Sequence, residues 1–593
     1  MILSASGWRD IFAVDGNEES MCKDISPKHK TFAVTSAKVF ADYLLDLNIT
    51  QKPINVVVGM DTRPTGPLIA DYVIRGLVNA GCNVSFAGVT AAPEIMAFTS
   101  LAGRYENASE PKNIAGFIFI SASHNPAGHN GIKFGLTDGG VLDATQAKKL
   151  IESFCKIFDN EKLSKSLLSQ SEKVDANILA RIYERSTEIK QLALKYYYDF
   201  TDQIVFESLT ANHKHQNQAI GICADLNGSA RCSSIDKKYF EEHGIKFAAI
   251  NDTAGNIAHK IVPEDDALIP CCRFLEEMHS KNNDFVLGYV PDCDGDRGNL
   301  VIWDELKNAA RALEAQEVFA LAVLAELAFC VWCGKTENMA VAVNDPTSMR
   351  VDHICAAFGA NLYRAEVGEA NVVSLGRKLR GEGNLVRILG EGSAGGNITH
   401  PSSVRDPIDT VMSIVKLLTI RSGLHGKENK MGLFEIWCER SGQRKKYKTD
   451  FTLADIISTM PKFYTTGTYS EDAVLKINIK DHVEFKRNYQ IIFIEDWQEK
   501  KTMLNKIFGI TDWCAAAYNG IVESDDIADF GIADKGGLKI YFLAEDRYIA
   551  AIWMRGSATE PVFRIMADAE GDENLERFLI KWQRDLVEKS VLI

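Results

Sequence analysis

A hydroxyl, three carboxylates and several cations stand in four short stretches, each bounded by turn formers. In the first, "FIFISASHNPAGHNGIKF", Phe117 to Phe134, four apolar residues run into Ser121, Ala122, Ser123 and His124. Asn125-Pro126 then halts the strand those residues predict. Ser123 therefore falls at a strand's carboxyl end, where α/β sheets place ligands, with Lys133 close behind it. A serine in a turn also commonly serves only its own backbone, and the stretch alone fits both roles. It is not a hydrolase elbow, because Ser121 and Asn125 stand where that motif needs glycines.

The second stretch is "YVPDCDGDRGNL", Tyr289 to Leu300. Asp292, Asp294 and Asp296 alternate along an extended loop, so their carboxylates can converge on one side of the chain. Three hard oxygens suit Mg2+, and without a cation they repel one another. A calcium-binding EF-hand is excluded: Arg297 occupies its glycine position and Trp303 its bidentate glutamate. The third stretch, "ILGEGSAGGN", contains G-x-G-x-x-G by letter at Gly390, Gly392 and Gly395. A dinucleotide site needs a helix to open at once, whereas "NITHPSSVRDP" follows. Glu391 and Ser393 fit better as partners for ligand hydroxyls, and a plain glycine turn fits equally well. In the fourth, "MRGSATEPVFRI", Arg555, Ser557, Thr559 and Arg564 surround small residues such as Ala558. Planar guanidinium forks, hydroxyls and loop N–H groups make an anion nest there.

The elements that must position these loops repeat one plan. Ile54–Gly88, Ala219–Asn251 and Met339–Gly368 each begin with a β-branched run that ends at an aspartate turn: Asp61, Asp225, Asp345. Each continues as a helical-period stretch, closes near a glycine and enters another short strand, a unit that makes strands parallel. Three such units predict three α/β domains. The tail differs: "AVLKINIKDHVEF" and "GLKIYFLAEDRYIAAIWMRGS" read as strands of a more antiparallel sheet, and "NLERFLIKWQRDLVEK" as a closing helix. The expected division is residues 1–205, 206–305, 306–465 and 466–593. The charged stretch from His425 to Thr449 reads as a solvated surface excursion.

The 593 residues carry a formal charge of −14, which argues against a nucleic-acid partner. The start shows no secretory pattern. The apolar stretch Val318–Trp332, interrupted by Glu326, is too short to span a bilayer comfortably and reads as a buried helix. Thirteen cysteines lack framework spacing, and Cys330 and Cys333 form a lone C-x-x-C with no second pair, so they read as core thiols in a reducing compartment. The chain reads as cytoplasmic, with no membrane partner.

Together and in order, the four loops resemble the α-D-phosphohexomutase superfamily of phosphoglucomutases and phosphomannomutases. The family's T-A-S-H-N-P appears as "SASHNP", its D-x-D-G-D-R as "DCDGDR", its G-E-x-S-G as "GEGSAG" and its R-x-S-G-T-E-P as "RGSATEP". Its opening G-T-S-G-W-R-G appears as "SASGWRD", and "VVVGMDTRPTGPLIA" is similar to its first-domain segment. The resemblance covers nearly the whole chain. It implies three related α/β domains with mixed sheets and a C-terminal α+β domain around a central cleft.

The resemblance also implies roles. Ser123 is the phosphorylated serine, and Asp292, Asp294 and Asp296 hold Mg2+ with an oxygen of that phosphoserine. Lys133 and His124 assist proton transfer, and Arg9 and Arg297 position the phosphoserine. Glu391 and Ser393 grip sugar hydroxyls, while Arg555, Ser557, Ala558, Thr559 and Arg564 form the phosphate loop. The implied partner is a small sugar phosphate, most simply glucose phosphate, interconverted through hexose 1,6-bisphosphate by a monomer or homodimer. Four departures bear on binding: Asp10 follows Arg9, Ala558 replaces a Gly or Asn, the sugar loop lacks a common His, and "EVGEAN" (Glu366 to Asn371) lacks a basic residue. Mannose and glucosamine phosphates therefore stay open, as does an inactive sugar-phosphate-binding relative. A nicotinamide oxidoreductase would rest on the Gly390 loop alone.

Overall fold

The β-branched runs that end at Asp61, Asp225 and Asp345 are buried strands, Asn55–Met60, Gly221–Asp225 and Met339–Asn344. They are seen in a computed structural model that describes every residue except 48–52, 103–110, 207–218, 426–427, 478, 557–561 and 593, and the side chains of residues 425 and 428. A helix follows each strand, and the chain returns as a parallel neighbour: Asn83–Val89, Lys246–Ile250 and Asn361–Ala365. The structure thus bears out the mixed α/β class. It divides into two compact units, Met1–Leu313 with Ile398–Val415, and Glu314–Asn397 with Lys416–Ile593.

The first unit holds two mixed sheets. In the six-stranded sheet, Asn55–Met60 lies between parallel Asn83–Val89 and Ile114–Ile120, and antiparallel strands His129–Leu136, Gly7–Ile11 and Ile2–Ser4 extend it. Ile114–Ile120 shows why its apolar run is continuous. Ile118 and Ile120 face helices Pro27–Asp46 and Gly66–Asn79, while Phe117 and Phe119 face the opposite core with Ala92–Leu101 and Ser186–Phe206. Alternate side chains enter two cores, so no polar residue is tolerated between them. Each buried phenylalanine contributes about 2 kcal/mol. The five-stranded sheet runs Ala309–Ala312, Asn299–Asp304, Phe285–Val290, Gly221–Asp225, Lys246–Ile250, antiparallel at its first two pairings and parallel at the rest.

In the second unit, Met339–Asn344 lies parallel between Asn361–Ala365 and Leu385–Gly390. The carboxyl-terminal sheet is antiparallel throughout, with Gly537–Ala544 and Arg547–Gly556 joined at Glu545 and Asp546, both at positive φ. Helix Glu573–Ser590 buries Leu575, Leu579, Leu586 and Val587 in that sheet's core. Helix Ala315–Trp332 is long and apolar enough to cross a membrane, yet 83% of it is buried in the fold. Its Glu326, wholly buried, is ion-paired by Arg387 at 2.9 Å and Lys416 at 2.5 Å.

Two local expectations are corrected. Among the described residues of Ala473–Phe485, only Val474–Leu475 is a strand, and a long helix, His482–Phe508, begins soon after it. The Asp481 side chain accepts from Glu484 N–H, and that cap overrides the alternating pattern before it. The charged stretch 425–449 is not simply a solvated excursion. It contains helix Leu433–Arg440, whose Leu433, Phe434, Ile436, Trp437 and Cys438 are buried. Their helical spacing was hidden among flanking charges.

Candidate active site

Strand Ile114–Ile120 ends in a turn that places Ser123 at φ 53°, in the left-handed region that non-glycine residues seldom adopt. Two contacts hold it there. Ser123 N–H donates to Ser121 Oγ at 2.8 Å, and Arg63 Nη2 donates to the Ser123 carbonyl at 2.8 Å and to the Asn125 carbonyl. Arg63 is itself buried, with Nη1 3.5 Å from Asp61 Oδ2. The outcome is a fixed hydroxyl, which donates to Asp292 Oδ2 at 2.8 Å.

Asp292, Asp294 and Asp296 lie on the loop joining the antiparallel strands Phe285–Val290 and Asn299–Asp304. Gly295, at φ 70°, turns that loop; a Cβ there would lie 2.5 Å from Arg231 Cδ. The Cys293 carbonyl accepts from Ala230 N–H at 3.0 Å, and the Asp294 carbonyl from Ala92 N–H at 2.9 Å. One oxygen of each aspartate lies within 4.8 Å of the other two. Burial, reinforced by Asp294 and Asp296, pushes the Asp292 carboxyl well above the usual carboxylate range. Asp294 goes the other way: burial opposes its charge, but Lys133 and the Ser121 hydroxyl outweigh that. Its Oδ1 is buried with no hydrogen-bond partner among the described residues. Three converging carboxylates, one of which has an unsatisfied buried oxygen, fit a divalent cation of the Mg2+ type.

Cations surround the trio. Lys133 Nζ is 2.7 Å from Asp294 Oδ2; burial would neutralise it, but Asp294 and Asp296 raise its pKa and keep it protonated. Arg297 Nη2 donates to His124 Nδ1 at 2.9 Å, and its Nε lies 3.7 Å from Asp292 Oδ2. As the acceptor of that bond, His124 Nδ1 carries no proton, so the neutral ring bears its hydrogen on Nε2. Burial first, then Arg297 and Arg9, hold the imidazole well below its ordinary pKa. Arg9 is buried within the same field, with Asp294 and Asp296 opposing the repulsion of Arg63 and Arg297. Ser121 and Arg63 are contributors that the motif reading passed over. Their signals were a second serine one residue before Ala122-Ser123 and an arginine at the first aspartate turn.

The second unit gathers the remaining loops. Asn344 Nδ2 donates to Glu391 Oε1 and to Ser393 Oγ, each at 3.2 Å, and Gly368 N–H donates to Glu391 Oε1 at 2.8 Å. Arg555 Nε and Nη2 both reach Glu366 Oε1, at 2.9 and 2.6 Å. Arg564 pairs across the strand from Arg555, and its Nη1 donates to the Thr468 carbonyl at 2.6 Å. Thr468 Oγ1 in turn donates to the Ser393 carbonyl at 3.0 Å. The segment Glu366–Gly368 thus links Glu391 to Arg555, and Thr468 links Ser393 to Arg564. Ser557, Ala558 and Thr559 lie outside the described residues.

A family model described as phosphoglucomutase/phosphomannomutase, alpha/beta/alpha domain I, matches residues 11–161, and one for alpha/beta/alpha domain III matches residues 319–434. The chain belongs to the α-D-phosphohexomutase superfamily. It is 23% identical over 562 residues to a phosphoglucomutase/phosphomannomutase of Thermococcus kodakarensis, covering 94% of each chain. It is 24% identical over 335 residues to a phosphoglucosamine mutase of Methanococcus vannielii, which is 56% of this chain and 63% of that one. The chain thus spans under two thirds of that relative's length. In fold it is similar to a phosphoglucomutase/phosphomannomutase family protein from Burkholderia thailandensis, at TM-score 0.61, 14% identity and coverage of 99% and 97%. It is also similar to pp63/parafusin from Paramecium, at TM-score 0.60, 14% identity and coverage of 99% and 94%.

In this member of the superfamily, a cavity of about 550 Å³ opens beside the serine turn, lined by His124, Pro126, Ala127, Ile257, His259 and Ile261 among others. His259 Nε2 lies 3.0 Å from Asp225 Oδ2, and its Nδ1 lies 3.0 Å from the Lys260 carbonyl. Burial favours the neutral ring, but the Asp225 carboxylate prevails and raises the pKa. A raised folded-state pKa contributes stability that is full below the unfolded value, near 6.5, and is lost as pH rises through the folded value. Replacing His259 by Gln is therefore expected to destabilise the protein more at pH 6 than at pH 9. The difference should be about 1 kcal/mol in urea unfolding. An equal loss at both pH values would show that the imidazolium contributes nothing.

Proposed function

We propose that the chain interconverts hexose 1-phosphates and hexose 6-phosphates through a phosphoserine at Ser123 and a hexose 1,6-bisphosphate. One observation carries this reading: a strained turn presents the Ser123 hydroxyl 2.8 Å from the first of three convergent carboxylates. Asp292, Asp294 and Asp296, with a phosphoserine oxygen, would hold Mg2+, which neutralises charge developing on a transferring phosphoryl group.

The chain's own residues do the rest. Arg63 and Ser121 fix the turn, so that Ser123 Oγ is aligned before a substrate arrives. In the transfer to sugar, the bond from Ser123 Oγ to phosphorus breaks, a bond from the sugar hydroxyl to phosphorus forms, and the hydroxyl's proton ends on Ser123. Lys133, held protonated beside Asp294, is placed to supply a proton to the departing serine oxygen and to regain one from the sugar. Neutral His124, whose Nδ1 accepts from Arg297, lines the cavity beside the serine turn. In this reading Glu391 and Ser393 grip sugar hydroxyls, and Arg555 and Arg564, with Ser557, Ala558 and Thr559, hold the phosphate that is not reacting. Turning the bisphosphate end for end and reversing the transfer completes the isomerisation.

Glucose phosphate is the first substrate to test. The acidic run Glu366 to Asn371, whose Glu366 meets Arg555 and whose Gly368 meets Glu391, favours a second reading, a cationic 2-amino sugar phosphate. The name of the Methanococcus vannielii relative supports it. A panel of glucose, mannose and glucosamine 1-phosphates, with Mg2+ and trace bisphosphate, should yield a 6-phosphate from at least one of them. A chain that turns over none, and gains no phosphate mass from glucose 1,6-bisphosphate, would be an inactive binding relative.

A further inference from the structure

The three aspartates do not share one counter-charge. Asp294 takes Lys133, Asp292 faces Arg297, and Asp296 takes a third cation, Arg405, whose Nη2 lies 3.1 Å from Oδ1 and 3.2 Å from Oδ2. Lys133 and Arg297 belong to the motifs around them. Arg405 does not: it stands on the segment Ile398–Val415, far along the chain from the aspartate loop. Only 6% of Arg405 and 2% of Asp296 is exposed, so this pair is removed from solvent.

The arginine is also held in place from behind. Asp406, the next residue, accepts from Tyr197 Oη at 2.5 Å and from Ile408 N–H at 2.9 Å, with Arg231 Nη1 3.5 Å away. Arg231 is anchored in turn by Asp236 Oδ1, at 3.0 Å from Nε and 2.8 Å from Nη2. On the other side, Ser402 Oγ donates to the Val404 carbonyl at 2.8 Å. A backbone fixed at both flanks presents the guanidinium to Asp296 without needing a ligand to order it.

We propose that Arg405 is the resident counter-ion of Asp296. It keeps the aspartate loop folded when no divalent cation is present, and it competes with that cation for the same carboxylate. This inference rests on the metal-site reading above. A divalent cation on Asp296 would draw on the same two carboxylate oxygens that face Arg405 Nη2, so the two positive charges would share one carboxylate. A fixed positive charge in a buried, low-dielectric setting also repels an incoming cation more than it would in water. The arrangement trades metal affinity for a loop that stays formed between metal-binding events.

Binding of Mn2+ followed by electron paramagnetic resonance, and of Mg2+ followed by calorimetry, tests this on the full chain. Arg405→Gln is expected to bind both ions about tenfold more tightly than wild type. In EDTA the same variant should melt at a lower temperature than wild type, and saturating Mg2+ should shrink the deficit. Arg405→Lys, which keeps the charge, should bind metal with near wild-type affinity. Unchanged or weaker binding by Arg405→Gln, with wild-type binding intact, would overturn the inference alone and leave Arg405 as a residue that merely orients Asp296. Equal tightening by the Lys and Gln variants would overturn it too. Wild-type protein that binds neither ion removes the metal-site reading, and this inference with it.

Discussion

Replacing Ser123 by Ala is expected to leave a folded protein that neither accepts a phosphoryl group nor turns over substrate. Incubated with glucose 1,6-bisphosphate, wild-type protein should gain one phosphate by intact mass, and the variant none. Turnover should fall on the order of 10⁴-fold or more, the usual consequence of deleting a covalent nucleophile. Stability should change little. The φ of 53° is equally foreign to serine and alanine, so the strain is the same in both. The hydroxyl's hydrogen bond to Asp292 goes, but Ser123 N–H and carbonyl keep Ser121 and Arg63. A melting temperature near that of wild type makes the kinetic result interpretable. Turnover within tenfold of wild type would remove Ser123 from the reaction, and phosphate found on another residue would move the nucleophile there.

What could be read from the sequence follows from which forces act locally. The strand before Ser123 was legible because both its faces are buried, which demands an unbroken apolar run that Asn125-Pro126 must end. The three parallel units were legible because period-2 and period-3.6 patterns alternate around aspartate turns. The helix His482–Phe508 was missed for the opposite reason: alternation around Val474–Leu475 matches a strand, and only the cap at Asp481 marks the change. Arg405 carries no local signal. Its partner is set by a long-range return of the chain to the aspartate loop, and it reads like any arginine after a serine turn. Glu366 is similar. The loss of a basic residue there was visible, but that its carboxylate occupies Arg555 appears only when the strand Arg547–Gly556 is placed beside it.

Lys133→Met should separate two roles that one residue combines. The side chain is 9% exposed and its partner Asp294 is wholly buried, so removing the ammonium leaves a carboxylate without its nearest cation. Breaking a buried pair from one side typically costs about 3–5 kcal/mol. In EDTA, urea unfolding should show a loss of that order, and the double variant Lys133→Met with Asp294→Asn should recover most of it, because neither charge is then stranded. Divalent cation should also partly rescue the single variant, since a bound cation replaces the missing charge beside Asp294. Activity should not follow stability. With metal restored and the fold intact, turnover should remain about 10²–10⁴-fold low, because the Ser121 hydroxyl, which also donates to Asp294 Oδ2, is a far weaker acid than the ammonium it would have to replace. A single variant as stable as wild type in EDTA would mean that the ion pair is not what keeps Asp294 charged. Near-normal turnover in Mg2+ would instead leave Lys133 a structural counter-ion and pass the proton to His124, the remaining candidate on the serine turn.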